Sequence, residues 1–210
     1  SENGGKSWKN MGLRKSEHIS EIIVHPNNSN IIWAASQGPL WSPGGERGLY
    51  KSTDGGENWK KVLGGGKWTG VTDIHMDPRN PDRIYAATWQ RHRTVAALMG
   101  GGPESGLHRS EDGGETWTEL KSGLPNYAGK IGFTLSPQKP DVLYASIELE
   151  KRNGAVYKSE DRGSSWKKMS DLSLGYGTGP HYYQELFASP HKFDRLYLMN
   201  VRMLTSEDGG

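Results

Sequence analysis

One eight-residue pattern, Ser-x-Asp-x-Gly-x-x-Trp, recurs along the chain and restricts its fold more than any other feature. Complete copies carry Ser52, Asp54, Gly56 and Trp59, then Ser110, Asp112, Gly114 and Trp117, then Ser159, Asp161, Gly163 and Trp166. A further copy at Ser1 to Trp8 has Asn3 in place of Asp, and another begins at Ser206. Successive first serines are 51, 58, 49 and 47 residues apart. A period of that size is one supersecondary unit that buries its apolar face only by stacking on its neighbours. The box reads as a hairpin fastener: Ser and Asp oxygens accept backbone N–H groups, Gly supplies a positive φ, and Trp buries a large ring between sheets. It lacks the longer ligand spacing and terminal Glu of an EF-hand.

Other features keep the same phase. Each repeat has a short apolar segment closed by a proline (Pro26, Pro78, Pro137, Pro190), and a second strand holding Trp33, Tyr85, Tyr144 or Tyr197. A third strand leads into the box and a fourth follows it. Four short strands per repeat define a propeller blade, so the expected class is all-β, a β-propeller of four-stranded antiparallel blades. The blades fall at about 13–63, 64–121, 122–170 and 171–210, with 1–12 as a lone outer strand. That strand either closes a four-bladed ring beside Met203 or belongs to a larger propeller; the larger propeller is the expectation, with remaining blades of a parent protein or a partner chain completing it.

The 29 glycines and 11 prolines among 210 residues suit this turn-rich class. A net charge of +2 with 24% charged residues gives a mixed surface, which argues against nucleic acid as partner. No apolar run is long enough for a membrane-spanning helix. With no cysteine, disulfides, thiolate metal sites and Cys nucleophiles are excluded. Clustered metal-ligating histidines, phosphate loops and nucleophile elbows are absent, so neither cofactor nor metal is expected.

The boxes resemble those of the BNR or Asp-box repeat proteins, a group that includes sialidases, xyloglucanases, sortilin-type receptors and a photosystem II assembly propeller. The stretches Trp41 to Arg47 and Gly101 to Gly106 are similar to a bacterial sortilin-like branch often labelled glycosyl hydrolase. That resemblance implies a propeller outside the cytoplasm (secreted, periplasmic or on the cell surface) that binds a glycan or a peptide. Fold alone does not fix the activity.

Blade connectivity sorts the loops onto two faces. Short Pro/Asn/Asp turns and the boxes share one face, where only structural work is expected. The other collects the irregular loops, with Glu17, His18, Trp41, Lys67, Trp68, Trp89, Arg91, His92, Arg93, Tyr127, Lys130, Arg152, Tyr176, His181 and Tyr182. Aromatic rings stack on apolar sugar faces while charged groups fix orientation, so Trp41, Trp68, Trp89, Arg91, His92, Arg93, Tyr127, Tyr176, His181 and Tyr182 are the candidate ligand contacts. Trp33, Tyr85, Tyr144 and Tyr197 are expected to pack between blades.

Hydrolysis of a glycoside needs two flanking carboxylates, or a Tyr nucleophile assisted by Glu. Tyr183 with Glu185 imitates the second arrangement, Asp73 with Asp171 the first, and Arg14, Arg91, Arg93 and Arg152 could grip an acidic sugar. The sialidase Arg-Ile-Pro motif is absent, and Asp73 fits a hydrogen-bonding role at a strand end. The sequence therefore favours a non-catalytic binding propeller, with glycoside hydrolase or scaffold as alternatives.

Overall fold

The computed structural model describes residues 1–173, 184–200 and 202–210. Four antiparallel sheets follow one another along the chain. The first contains β1 (Ile19–Val24), β2 (Ile32–Ser36), β3 (Gly48–Ser52) and β4 (Lys60–Leu63), in that spatial order. The second opens with β5 (Thr69–Asp77) and β6 (Asn80–Gln90). A two-stranded hairpin, β7 (His92–Arg93) and β8 (Leu98–Met99), then rises from what the sequence offered as plain loop, and β9 (Gly106–Ser110) and β10 (Thr118–Leu120) complete the sheet. The third holds β11 (Ile131–Leu135), β12 (Leu143–Glu148), β13 (Asn153–Ser159) and β14 (Lys167–Ser173). The fourth has β15 (Glu185–Ala188), β16 (Leu196–Met199) and β17 (Leu204–Ser206). This is the expected propeller of four blades. Residues 1–12 differ from expectation: they form a box turn but no strand, and β17 pairs with β16 alone among the described residues.

The boxes fasten as their chemistry requires. Ser52, Ser110 and Ser159 each accept the N–H of the glycine four residues on at 2.8 Å. Asp54, Asp112 and Asp161 accept the N–H groups of Asn58, Thr116 and Ser165 at 2.9, 2.9 and 2.8 Å. Gly56, Gly114 and Gly163 sit at φ of 95°, 89° and 82°, the region that a Cβ disfavours. Trp166 is 6% exposed, Trp59 and Trp117 are half-buried, and Trp8 is 80% exposed.

Three hydrophobic clusters fill the three spaces between consecutive sheets. Trp33, Ala35 and Leu49 of the first sheet meet Ile74, Ile84 and Ala86 of the second. Tyr85, Ala87 and Leu107 meet Phe133, Leu143 and Ala145. Tyr144 and Val156 meet Leu186, Leu196 and Leu198. Alternation along each strand sends one set of side chains to the preceding blade and the other to the following blade. The aromatic of each second strand also bonds across the gap: the Trp33 indole N–H donates to Gly113 O at 3.2 Å, the Tyr85 hydroxyl to Arg162 O at 3.4 Å, and the Tyr144 hydroxyl to Asp194 at 2.5 Å. Inter-blade packing thus holds for Trp33, Tyr85 and Tyr144. Each fully buried large side chain contributes about 1.5–3 kcal/mol, so these interfaces supply the rigidity on which a variable face can be built.

Candidate functional site

Two places gather chemistry: the inner edge of the blades and the loop-rich face. Strands β1, β5, β11 and β15 are the innermost of their sheets and contact one another in that order. Five residues before the proline of each stand Glu21, Asp73, Gly132 and Glu185. Glu21 accepts the N–H of Ile74 at 3.1 Å, and Asp73 accepts the N–H of Phe133 at 3.1 Å, so each carboxylate bonds the inner strand of the following blade. His75 Nε2 lies 3.2 Å from Asp73 Oδ1 and 2.8 Å from Phe133 O. Burial opposes charge on this ring, but the Asp73 carboxylate overrides it and His75 is pushed up to about 9. Asp73 is held below its ordinary value because, against burial, His75 and the Phe133 N–H stabilise its anion. Burial, reinforced by the Asp73 charge, raises Glu21 to about 7.

Ligand atoms of Glu21, Asp73 and His75 fall within 4.8 Å of one another, a donor set that by type could hold a metal. The Phe133 carbonyl, however, needs a donor from His75 Nε2, and an N–H there satisfies both that oxygen and Asp73. The trio is better suited to holding protons. Beside it, Lys130 reaches Glu185 at 3.0 Å, and a cavity of about 370 Å³ is bordered by Ser20, Thr72, Lys130, Glu185 and the trio. The Lys130 N–H also donates to Glu148 at 3.2 Å, and burial raises that carboxyl to about 7.

On the loop-rich face, four loops are tied together. Gly44 N–H donates to Lys67 O at 2.7 Å, and Arg91 N–H to Trp68 O at 3.0 Å. Glu104 receives the Gly66 N–H on both oxygens at 3.0 Å and also bonds the Thr69 hydroxyl. The Tyr127 hydroxyl donates to Gly101 O at 3.1 Å. On this frame Trp68 stacks on His92 with ring centres 3.8 Å apart, and the Arg93 guanidinium lies 4.9 Å from the Trp41 ring. Arg47 is buried, its guanidinium donating to Gln37 O at 2.5 Å and Ser42 O at 3.0 Å while lying 5.8 Å from the Trp68 ring.

Several expected site residues are therefore brought together: Trp41 with Arg93, and Trp68 with His92. Trp41 is 57% exposed and Tyr127 is also exposed. Trp89 and Arg91 correct the expectation of ligand contact. Trp89 is 2% exposed, its indole donating to Gly100 O at 2.7 Å, and the buried Arg91 guanidinium lies 4.7 Å from its ring. A ring so enclosed holds the loop and has no face left for a sugar. Asp73 is likewise taken up, by the Phe133 N–H and by His75, and it lies in the middle of β5 instead of at the strand end where the sequence placed it. Asp171, placed by the sequence in a loop, lies within β14 and pairs with Lys168. Arg14 donates to Asn10 at 3.2 Å, and Arg152 belongs to the helical turn Glu150–Arg152. Tyr176, His181, Tyr182 and Tyr183 lie outside the described residues. Sequence reasoning passed over Glu21, His75 and Glu104. The first was visible as the register partner of Asp73 and Glu185; the others have no such repeat.

The fold and its fasteners define an Asp-box β-propeller. Residues 47–177 match the Sortilin-Vps10 family (sortilin, neurotensin receptor 3), and the chain belongs to that family. Among curated proteins it is 24% identical over 187 residues to a probable oligoxyloglucan-reducing end-specific xyloglucanase of Neosartorya fischeri, covering 79% of this chain and 19% of that one. It is 22% identical to a xyloglucanase of Hypocrea jecorina, covering 93% of this chain and 22% of the relative. The chain thus spans about a fifth of the length of these relatives. A solved GH74 xyloglucanase from Xanthomonas campestris superposes with a TM-score of 0.66 at 16% identity, over 91% of this chain and 28% of its own. A Niastella koreensis GH74 enzyme gives 0.60 at 21%, over 94% and 29%. At these identities the superpositions establish the fold. Among the described residues no helix is long and apolar enough to cross a membrane.

Proposed function

We propose that this chain is a carbohydrate-recognising propeller segment that acts outside the cytoplasm, and that it binds a neutral β-glucan-type chain across its loop-rich face. The observation that carries this reading is Trp41, an indole 57% exposed, flanked by the Arg93 guanidinium and set on a loop held by the buried Arg47, which donates to Ser42 O, and by the Gly44 N–H bond to Lys67 O. An indole held in place loses little entropy when it stacks on a pyranose, and a neighbouring guanidinium can orient hydroxyl groups. The xyloglucanase names of the relatives suggest the sugar class.

Recognition is favoured over hydrolysis because Glu21 and Asp73 are engaged with backbone N–H groups and Glu185 with Lys130. The test is native mass spectrometry and calorimetric titration with xyloglucan oligosaccharides, cello-oligosaccharides and sialylated glycans. Intact bound xyloglucan fragments support the reading. Shortened fragments would convert it to a glycoside hydrolase, and no binding to any of the panel would overturn it in favour of a peptide or protein ligand.

A further inference from the structure

The β7–β8 hairpin of the second blade touches an exposed aromatic ring at each of its roots. On the β7 side the Arg93 guanidinium lies 4.9 Å from the Trp41 ring. On the β8 side the chain runs through Gly100, Gly101 and Gly102, and Gly101 O receives the Tyr127 hydroxyl at 3.1 Å. This close approach needs glycine: a Cβ on Gly101 would sit 2.5 Å from Ala128 O, the same oxygen that accepts the Gly102 N–H at 3.3 Å. Tyr127 is thereby tied to the second blade's long loop while its ring stays 45% exposed.

Tyr127 borders a cavity of about 670 Å³ whose lining includes no residue of the Trp41 loop. The cavity lies on the third sheet and the connection that enters it, and that sheet packs on its neighbours within this chain on both sides. Asn126, Glu150, Lys151, Asn153 and Asp171 stand around it. Asp171 is paired with Lys168, and Glu150 and Lys151 offset one another in charge. What the lining then offers a ligand is an aromatic face beside the Asn126 and Asn153 amides, which both donate and accept. An uncharged, hydroxyl-rich ring suits that combination, and the volume is that of a small-ligand site.

Trp41 belongs to the first blade and the cavity to the third. Packed sheets stack about 10 Å apart, which puts the two platforms on the order of 10–20 Å from each other, too far for one sugar ring and within reach of a short chain. Resting on the glycan reading above, we infer that the Tyr127 cavity is a second subsite for the same neutral β-glucan, so that the face holds an extended oligosaccharide laid from the first blade to the third. A ligand seated on one platform meets the other at high effective concentration, so affinity rises steeply once the ligand is long enough to reach both.

The test is calorimetric titration of the full chain with xyloglucan oligosaccharides whose backbones hold about two, four and eight glucose units. Affinity should rise about ten- to a hundredfold from the shortest to the longest. Tyr127→Ala should cut that rise to less than about threefold, and Tyr127→Phe, which keeps the ring, should restore most of it. The side chain is exposed, so both variants should unfold at the wild-type denaturant midpoint. An affinity independent of chain length, or a rise that Tyr127→Ala leaves intact, would overturn the second subsite while the Trp41 reading stands. Failure of every oligosaccharide to bind the wild-type chain would overturn both.

Discussion

The backbone N–H of Phe133 donates to the Asp73 carboxylate at 3.1 Å, joining two inner strands whose residues are sixty apart in sequence. The same carboxylate receives His75 at 3.2 Å, so a single buried side chain ties together two blades. This makes Asp73 a structural anchor between the inner strands β5 and β11 before it is anything else. Asp73→Asn keeps an acceptor oxygen but removes the charge that His75 faces. The expected loss is about 1.5–3 kcal/mol of unfolding free energy, measured by urea denaturation, with glycan affinity retained in the folded variant. Lost affinity at unchanged stability would place Asp73 in a binding site instead.

The same cluster sets a pH dependence. His75 is raised from 6.5 to about 9, so its contribution is complete below 6.5 and is lost as pH climbs through 9. Glu21, raised from 4.5 to about 7, adds a loss of the same sign between those values, because ionising it in place is unfavourable. Asp73 acts in the other direction and gives up its contribution only under acid conditions below its ordinary range. The melting temperature should therefore be highest near pH 5 and fall steadily toward pH 9. His75→Gln should flatten the fall above pH 6.5; an unaltered slope would show that the ring does not carry the charge.

The box tryptophans are not equivalent, although the sequence makes them look so. Trp166 is 6% exposed and its indole donates to Gly163 O at 3.0 Å, whereas Trp8 is 80% exposed. Trp166→Ala should cost about 3–5 kcal/mol, as expected for a deleted core aromatic. Trp8→Ala should change stability by no more than about 0.5 kcal/mol. Equal effects in denaturant unfolding would mean that the two boxes share one environment.

These differences show what the sequence could and could not supply. The boxes, the proline-closed turns and the Trp33, Tyr85 and Tyr144 positions are local or strictly periodic, so a repeat of one blade exposes them. Trp89 follows no such rule. As an aromatic beside Arg91 in an irregular loop it has the composition of a site, yet its burial depends on Gly100 and on the fold of the β7–β8 hairpin. The Glu21, Asp73 and His75 cluster was hidden for a different reason: its bonds join different blades, 53 to 60 residues apart. Only aligning the inner strands on Pro26, Pro78, Pro137 and Pro190 brings their carboxylates into one column. Glu104 carries no signal beyond its place in a glycine-rich loop, since its partners are Gly66, in another connection, and Thr69, at the start of β5.

Glu104 leads to a prediction about the proposed binding face. Its carboxylate fixes the loop after β6 against the connection that carries Trp68, and Trp68 in turn stacks on His92. Glu104→Ala removes the acceptor for Gly66 while leaving every exposed aromatic in place. If recognition depends on rings held in position, glycan affinity should fall about tenfold, mostly through a faster off-rate, with little change in global stability.

Trp41→Ala separates contact from positioning on that face. The ring is 57% exposed and lies over no hydrophobic core, so its removal should leave the unfolding transition within about 0.5 kcal/mol. Loss of a stacking platform should instead lower affinity for xyloglucan oligosaccharides by about ten- to a hundredfold, within the range of an aromatic anchor at an interface. Arg93→Lys tests the neighbouring group: it keeps the charge but gives up the planar fork that aligns with the indole. An intermediate loss in that variant, beside a full loss in Trp41→Ala, would show that the guanidinium orients a sugar that the indole binds. Retained affinity in both would move recognition away from this pair and remove the main support for glycan binding at this face.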